Sequence, residues 1–128
     1  MKKMNKVIFT ANAPQPIGPY SQAIVANGML FMSGQIAIDP QSGKLIEDKI
    51  EEQTHRVFKN ISAILSEAGL NFGHVVKVSV FLTEIKDFAS VNQIYATYFG
   101  DNKPAREILQ ACALPLGAKL EISLIAVL

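Results

Sequence analysis

The pair Asn27-Gly28 separates two apolar runs in AIVANGMLFMSG, and it constrains the chain more than any other local feature. Both residues tolerate the positive φ of a two-residue type I′ turn, so the flanking runs are predicted to close into an antiparallel hairpin. A short strand around Val7 to Phe9 is expected earlier. Between them, NAPQPIGPYSQA holds three prolines and Gly18. These deny the backbone both helix and continuous sheet bonding, which predicts a stiff loop. After the hairpin, DPQSGK breaks the strand with Pro40 and Gly43. Glu47 and Asp48 are then expected to open a long helix, where negative charge meets the positive end of the helix dipole.

Ile50, Val57, Phe58, Ile61, Ile64, Leu65 and Ala68 follow helical spacing and stop at Gly69, which predicts a helix with one buried face. HVVKVSVFLTEI then alternates as a half-buried strand, with Val76, Val78, Val80 and Leu82 expected on one side and Lys77 and Ser79 on the other. A second helix is predicted from near Asp87, with Phe88, Val91, Tyr95 and Tyr98 on one stripe, closing at Gly100. Two strands remain, from about Arg106 to Ala113 and from Lys119 to Val127, joined by a turn around Pro115 and Gly117.

This order, with no internal repeat and no dividing linker, predicts a single α+β domain over residues 1–128, with one mixed β-sheet and both helices packed on one face. The other face is then bare unless a second subunit covers it. A composition of 49% hydrophobic and 18% charged residues points the same way, because it leaves apolar surface to hide.

Several functions are disfavoured at once. The formal net charge is +1, and the basic cluster Lys2, Lys3 and Lys6 stands apart from any aromatic stripe, so no nucleic acid partner is expected. One cysteine, Cys112, excludes an internal disulfide and suits a reducing cytosol. Cys112 lies between alanines and reads as a small core residue rather than a nucleophile. His55 and His74 have no partner at metal-ligand spacing and are expected at the surface. No metal or cofactor is expected, since phosphate loops and dinucleotide fingerprints are absent. The N-terminus imitates a signal peptide, but its apolar middle is only Val7, Ile8 and Phe9, short of the ~7–15 residues required. No run approaches the ~18 residues of a membrane span. A soluble, cytoplasmic protein is expected.

Two charged residues stand out. Leu120, Ile122, Leu124 and Ala126 make a clean apolar face, so Glu121 looks out from the opposite side. Glu121 could be a solvated carboxylate paired with Lys119, and Arg106 could pair with Glu107 at a sheet edge. If Arg106 and Glu121 instead lie on antiparallel neighbours joined by the Pro115–Gly117 turn, they would flank one cleft. A guanidinium fork beside a carboxylate can bind a small carboxylic acid and activate water next to it.

Four stretches taken together carry a family resemblance: IGPYSQA, SGQI, FASVN, and PAR…LP…LEI, spread from residue 17 to residue 122. The chain resembles the RidA (YjgF/YER057c) family. The resemblance implies a chorismate-mutase-like fold, a homotrimer and ligand clefts between subunits. It also implies cofactor-free hydrolysis of reactive 2-imino acids to 2-oxo acids and ammonia. The imines arise from 2-aminoacrylate and 2-aminocrotonate, which pyridoxal-phosphate-dependent serine/threonine dehydratases release. By position, Arg106 matches the clamp on the substrate carboxylate and Glu121 the residue that positions or activates water. Tyr20 and Ser33 match pocket residues, and Gly34 and Asn92 match positions near or supporting the pocket. The chain departs from the family after PAR, where Glu107 and Ile108 replace a small residue and a frequent cysteine. The alternative is a non-catalytic trimer that binds small carboxylates and regulates a partner. The ribonuclease-like and chaperone roles also linked to the family find no supporting feature in this sequence.

Overall fold

The computed structural model describes residues 5–47 and 49–128, so Lys2, Lys3 and Asp48 lie outside the described residues. The chain runs β1 (Lys6–Ile8), β2 (Ala23–Ala26), β3 (Met29–Gln35), α1 (Ile50–Glu67), β4 (Val75–Leu82), α2 (Phe88–Phe99), β5 (Ala105–Gln110) and β6 (Leu120–Val127). The hairpin forms as expected, with Asn27 at φ 52° and Gly28 at φ 73° turning β2 into β3.

All strands join one six-stranded sheet in the order β1-β2-β3-β6-β4-β5. Every pair is antiparallel except β4 with β5, which are parallel and are connected by α2 as crossover. The condition under which Arg106 and Glu121 would flank one cleft, β5 and β6 as antiparallel neighbours, is therefore not met, because β4 lies between them. The crossover sets β5 at the sheet's edge, where its charged residues can be solvated. β6 instead takes the slot between β3 and β4, where its backbone is bonded on both sides. β5 also ends at Gln110, short of Ala113.

One face of the sheet packs under the helices. Val57, Phe58, Ile61, Ile64 and Leu65 of α1 are wholly buried against Leu30, Val78, Val80, Leu82, Leu120 and Ile122, and Val91, Tyr95 and Phe99 of α2 extend the same cluster. α1 begins at Ile50, so Glu51 and Glu52 meet the helix dipole in the first turn rather than Glu47. Gly69, at φ 75°, follows its end. In α2, Phe88 departs from the predicted stripe and is exposed at the helix start, while Tyr98 is half-buried and stacks on Phe58 at 4.6 Å. Val76 is a second departure. The pairing of β4 with β6 shifts between Val75 and Lys77, so Val75 takes the buried place and Val76 turns outward.

Among the described residues no helix covers the other face. Val7, Ile24, Phe31 and Ile125 stand directly opposite one another across four strands, and Val7 and Phe31 are exposed. Further along, Lys77 forms an ion pair with Glu107 at 2.8 Å, and the Ser79 hydroxyl donates to the same carboxylate. This polar group interrupts the apolar surface.

Buried amides tie loops to this frame. Gln22, 2% exposed, accepts from the Thr10 amide at 2.8 Å and donates to the Thr10 and Pro14 carbonyls at 3.0 and 2.9 Å, which pins the proline loop onto β2. Asn60 of α1 donates to the carbonyls of Ile36 and Ile38 and fixes the chain just after β3. Both satisfy backbone groups that would otherwise be buried without partners.

Candidate functional site

The sheet's alternation sends the two candidate charges to opposite faces. Arg106 is opposite Val78 and points to the helix side, whereas Glu121 is opposite Phe81 and points to the open side. Their strands are separated by β4, and their partners on it are three residues apart. Strand spacings place the two Cα atoms roughly 14 Å apart. Within one subunit the charges do not share a cleft.

Arg106 sits in a cradle built by α2. Its Nη1 donates to Asn92 Oδ1 at 2.8 Å, and its guanidinium carbon lies 4.7 Å from the centre of the Tyr95 ring and 5.8 Å from that of Phe88. Neither Nε nor Nη2 makes a hydrogen bond among the described residues, so one complete donor edge stays available for a carboxylate. The adjoining cavity, about 450 Å³, is lined by Asn92, Tyr95, Phe99, Lys103, Pro104 and Arg106. Burial raises the Tyr95 pKa, against the lowering effects of the Arg106 charge and of the interaction between the Tyr95 hydroxyl and the Arg106 side chain. Glu107 does not pair with Arg106. It points to the open face, where its hydrogen bonds with Lys77 and then Ser79 hold its carboxyl below the usual range.

Glu121 lies in a second cavity of about 220 Å³, lined by Pro14, Ile17, Tyr20, Gly34, Pro115 and Glu121 among others. Among the described residues it has no hydrogen bond or ion pair, and the suggested pairing with Lys119 is not formed. Burial alone raises its pKa. Gly34 is required by contact rather than by turn geometry: a Cβ there would lie 2.2 Å from Glu121 Oε2 and 2.9 Å from its Cγ. The missing side chain is the room that the carboxylate occupies. Tyr20 is about half exposed on the rim, and its hydroxyl accepts from the Ile17 amide at 3.5 Å. Ser33 stands beside this cavity without lining it. Its hydroxyl donates to the Ser21 carbonyl at 2.7 Å, so its proton is used to hold the proline loop.

The structure thus gathers Tyr20, Gly34 and Glu121 into one pocket and Arg106 with Asn92 into another. Cys112 is exposed beyond the end of β5, a correction to its expected place in the core, because β5 is a largely exposed edge strand rather than a core strand and stops at Gln110. His55 is exposed and His74 half-buried, and His74 accepts from the Asn71 amide. Among the described residues no group of three or more His, Cys, Asp or Glu is placed to hold a metal ion, and no helix is long and apolar enough to cross a membrane. Sequence reasoning missed Gln22 and Tyr95 as parts of the site. Gln22 could be found as the one long amide directly after the proline loop. Tyr95 reads only as core until α2 is seen to lie over β5.

This is a small α+β domain whose pockets offer a guanidinium fork and a desolvated carboxylate. The chain belongs to the Endoribonuclease L-PSP family, whose profile matches residues 10–128. It is 47% identical over 124 residues to the 2-iminobutanoate/2-iminopropanoate deaminase of Rattus norvegicus, covering 97% of this chain and 90% of that one. Its fold is similar to that of RidA from an Antarctic Psychrobacter species, with a TM-score of 0.92 and 37% identity over 96% of this chain and 99% of that one. It is also similar to E. coli TdcF with bound serine, with a TM-score of 0.91 and 40% identity over 96% and 98% of the two chains.

Proposed function

We propose that this protein hydrolyses 2-imino acids such as 2-iminobutanoate and 2-iminopropanoate to 2-oxo acids and ammonia, at sites formed between subunits of a homotrimer. The observation that carries the reading is the near full-length identity with a deaminase of that name, combined with an Arg106 fork and a Glu121 carboxylate that are both left uncommitted. Their placement on opposite faces supports a shared cleft in which Arg106 of one subunit meets Glu121, Gly34 and Tyr20 of the next. The open face, with its apolar row from Val7 to Ile125, is the surface that trimer formation would cover.

The chemistry follows from these groups. The Nε and Nη2 donors of Arg106 hold the substrate carboxylate in one plane and aim the C=N carbon. Glu121 removes a proton from water as the oxygen adds to the carbon of the protonated imine; the C=N π pair moves to nitrogen and a neutral tetrahedral amino alcohol forms. A carboxylate with a raised pKa is a stronger base for this step and, once protonated, a competent acid for the next. It returns the proton to nitrogen. As the C–N bond breaks, the carbinol hydroxyl gives its own proton to the Glu121 carboxylate, so that the C=O bond forms and ammonia leaves, taking up that proton as ammonium. Positioned proton transfer of this kind is typically worth ~10²–10⁴ in rate, which suffices for an already electrophilic imine.

The test is a coupled assay in which a pyridoxal-phosphate-dependent threonine dehydratase releases 2-aminocrotonate and 2-oxobutanoate formation is followed. Acceleration over spontaneous hydrolysis is expected. Ligand binding without acceleration would establish the non-catalytic carboxylate-binding reading instead.

A further inference from the structure

Arg106 is an edge-strand residue with a long, flexible side chain, and a fork that must meet a carboxylate in one plane gains nothing from that freedom. Two contacts remove it. The Asn92 bond fixes the end of one arm, and the Tyr95 ring, 4.7 Å from the guanidinium carbon, supports the plane from below. The ring is itself closely packed. Tyr95 is 8% exposed, stacks on Phe99 at 4.4 Å and meets the Phe58 ring edge-on at 5.9 Å. A guanidinium resting on an aromatic face gains from the ring quadrupole as well as from contact.

We propose that Tyr95 is a positioning residue for substrate binding, acting through its ring on the Arg106 guanidinium. Asn92 and Tyr95 are one helical turn apart on α2, so a single helix face sets both the rotation and the height of the fork. The donor edge left over, Nε with Nη2, is the one that meets the carboxylate. This inference rests on the reading of Arg106 as the carboxylate anchor, and it adds a residue that acts through that arginine.

The Tyr95 hydroxyl interacts with the Arg106 side chain. Tyr95→Phe removes that hydroxyl and keeps the ring, so it serves as the reference for changes made to the ring alone. Pentafluorophenylalanine introduced at position 95 keeps the ring's shape but reverses the charge distribution over its face. The experiment measures the affinity of each variant for 2-oxobutanoate, a stable carboxylate product, by calorimetry. Subunit assembly and the Arg106 Nε–H resonance are followed in parallel.

The fluorinated ring should bind about five- to tenfold more weakly than Tyr95→Phe, with assembly intact, since the two differ only in the charge distribution over the ring face. The Nε–H resonance should move and broaden between these two variants. Equal affinity and an unmoved resonance in the two would overturn the inference. Arg106→Ala serves as the control: if it binds like the parent, the anchor reading has failed, and the two failures are thereby distinguished.

Discussion

The two faces of the sheet both carry valine, isoleucine and leucine, yet only one of them is covered by helices among the described residues. Under the helices, Ile122 and Leu124 are buried within the subunit. One residue further along β6, Ile125 stands in the open row with Phe31. The polar groups divide in the same way. The helix side fixes Arg106 with a hydrogen bond and a ring, whereas the open side carries Glu121 with a raised pKa and no hydrogen-bond or ion-pair partner among the described residues. The difference teaches that an apolar stripe reports that a face is to be hidden and leaves open what hides it. A desolvated, unpaired carboxylate is a cost that burial alone does not explain.

The largest test of this contrast is Glu121→Gln, which keeps the shape and removes the base. It should lower kcat by about 10²–10⁴. At neutral pH it should leave the melting temperature equal or raised, because the charged form is the one that burial penalises. The sign is fixed by linkage: a carboxyl whose folded pKa lies above its unfolded value destabilises the fold above that pKa, and the penalty is relieved as pH falls through it. Loss of both activity and stability would make Glu121 a structural residue.

Arg106→Ala comes next, with kcat/KM for 2-iminobutanoate expected to fall about a hundredfold, since two charge-assisted bonds disappear. Arg106→Lys should recover only part of it, because an ammonium offers no planar fork. Parent-like turnover in Arg106→Ala would reduce the arginine to a surface contact of α2.

A pair of substitutions on neighbouring rows compares the faces directly. Ile122→Ala should cost about 2–5 kcal/mol of unfolding free energy in chemical denaturation, as expected for a wholly buried side chain. Ile125→Ala should barely change the unfolding of a subunit and instead raise the concentration at which the assembly dissociates in analytical ultracentrifugation. Equal effects of both on subunit unfolding would mean that the open face is not an assembly surface.

The smallest effect compares two carboxylates of the open face. Followed by carboxyl-carbon NMR, Glu121 should titrate above the ordinary glutamate range. Glu107 should titrate below it, because its bonds with Lys77 and Ser79 favour the charged form. Lys77→Ala should move Glu107 upward and leave Glu121 in place.

The strands and helices were legible because their signals are local: a turn pair at Asn27-Gly28, spacing of three and four along α1, alternation along β6. What could not be read was pairing between distant segments. Nothing in residues 103–121 says that β4 intervenes between β5 and β6, since that order depends on the crossover made by α2. The outward turn of Val76 was hidden for a related reason, because a register shift arises between strands and leaves no mark in the alternation of either one. Of the candidate residues, Arg106 and Glu121 stood out as charges at suggestive positions, whereas Tyr20, Ser33, Gly34 and Asn92 were reached only through the family resemblance. Their division between two pockets was not legible.

The central claim is that each working site takes Arg106 from one subunit and Glu121 from another, and mixing inactive variants tests it most directly. Arg106→Ala and Glu121→Gln subunits would be co-refolded in equal amounts and assayed for 2-iminobutanoate hydrolysis. In random mixed trimers about one cleft in four pairs an intact Arg106 with an intact Glu121, so activity should return to about a quarter of the parent level. A mixture that assembles as trimers and stays as inactive as the separate variants would contradict the account.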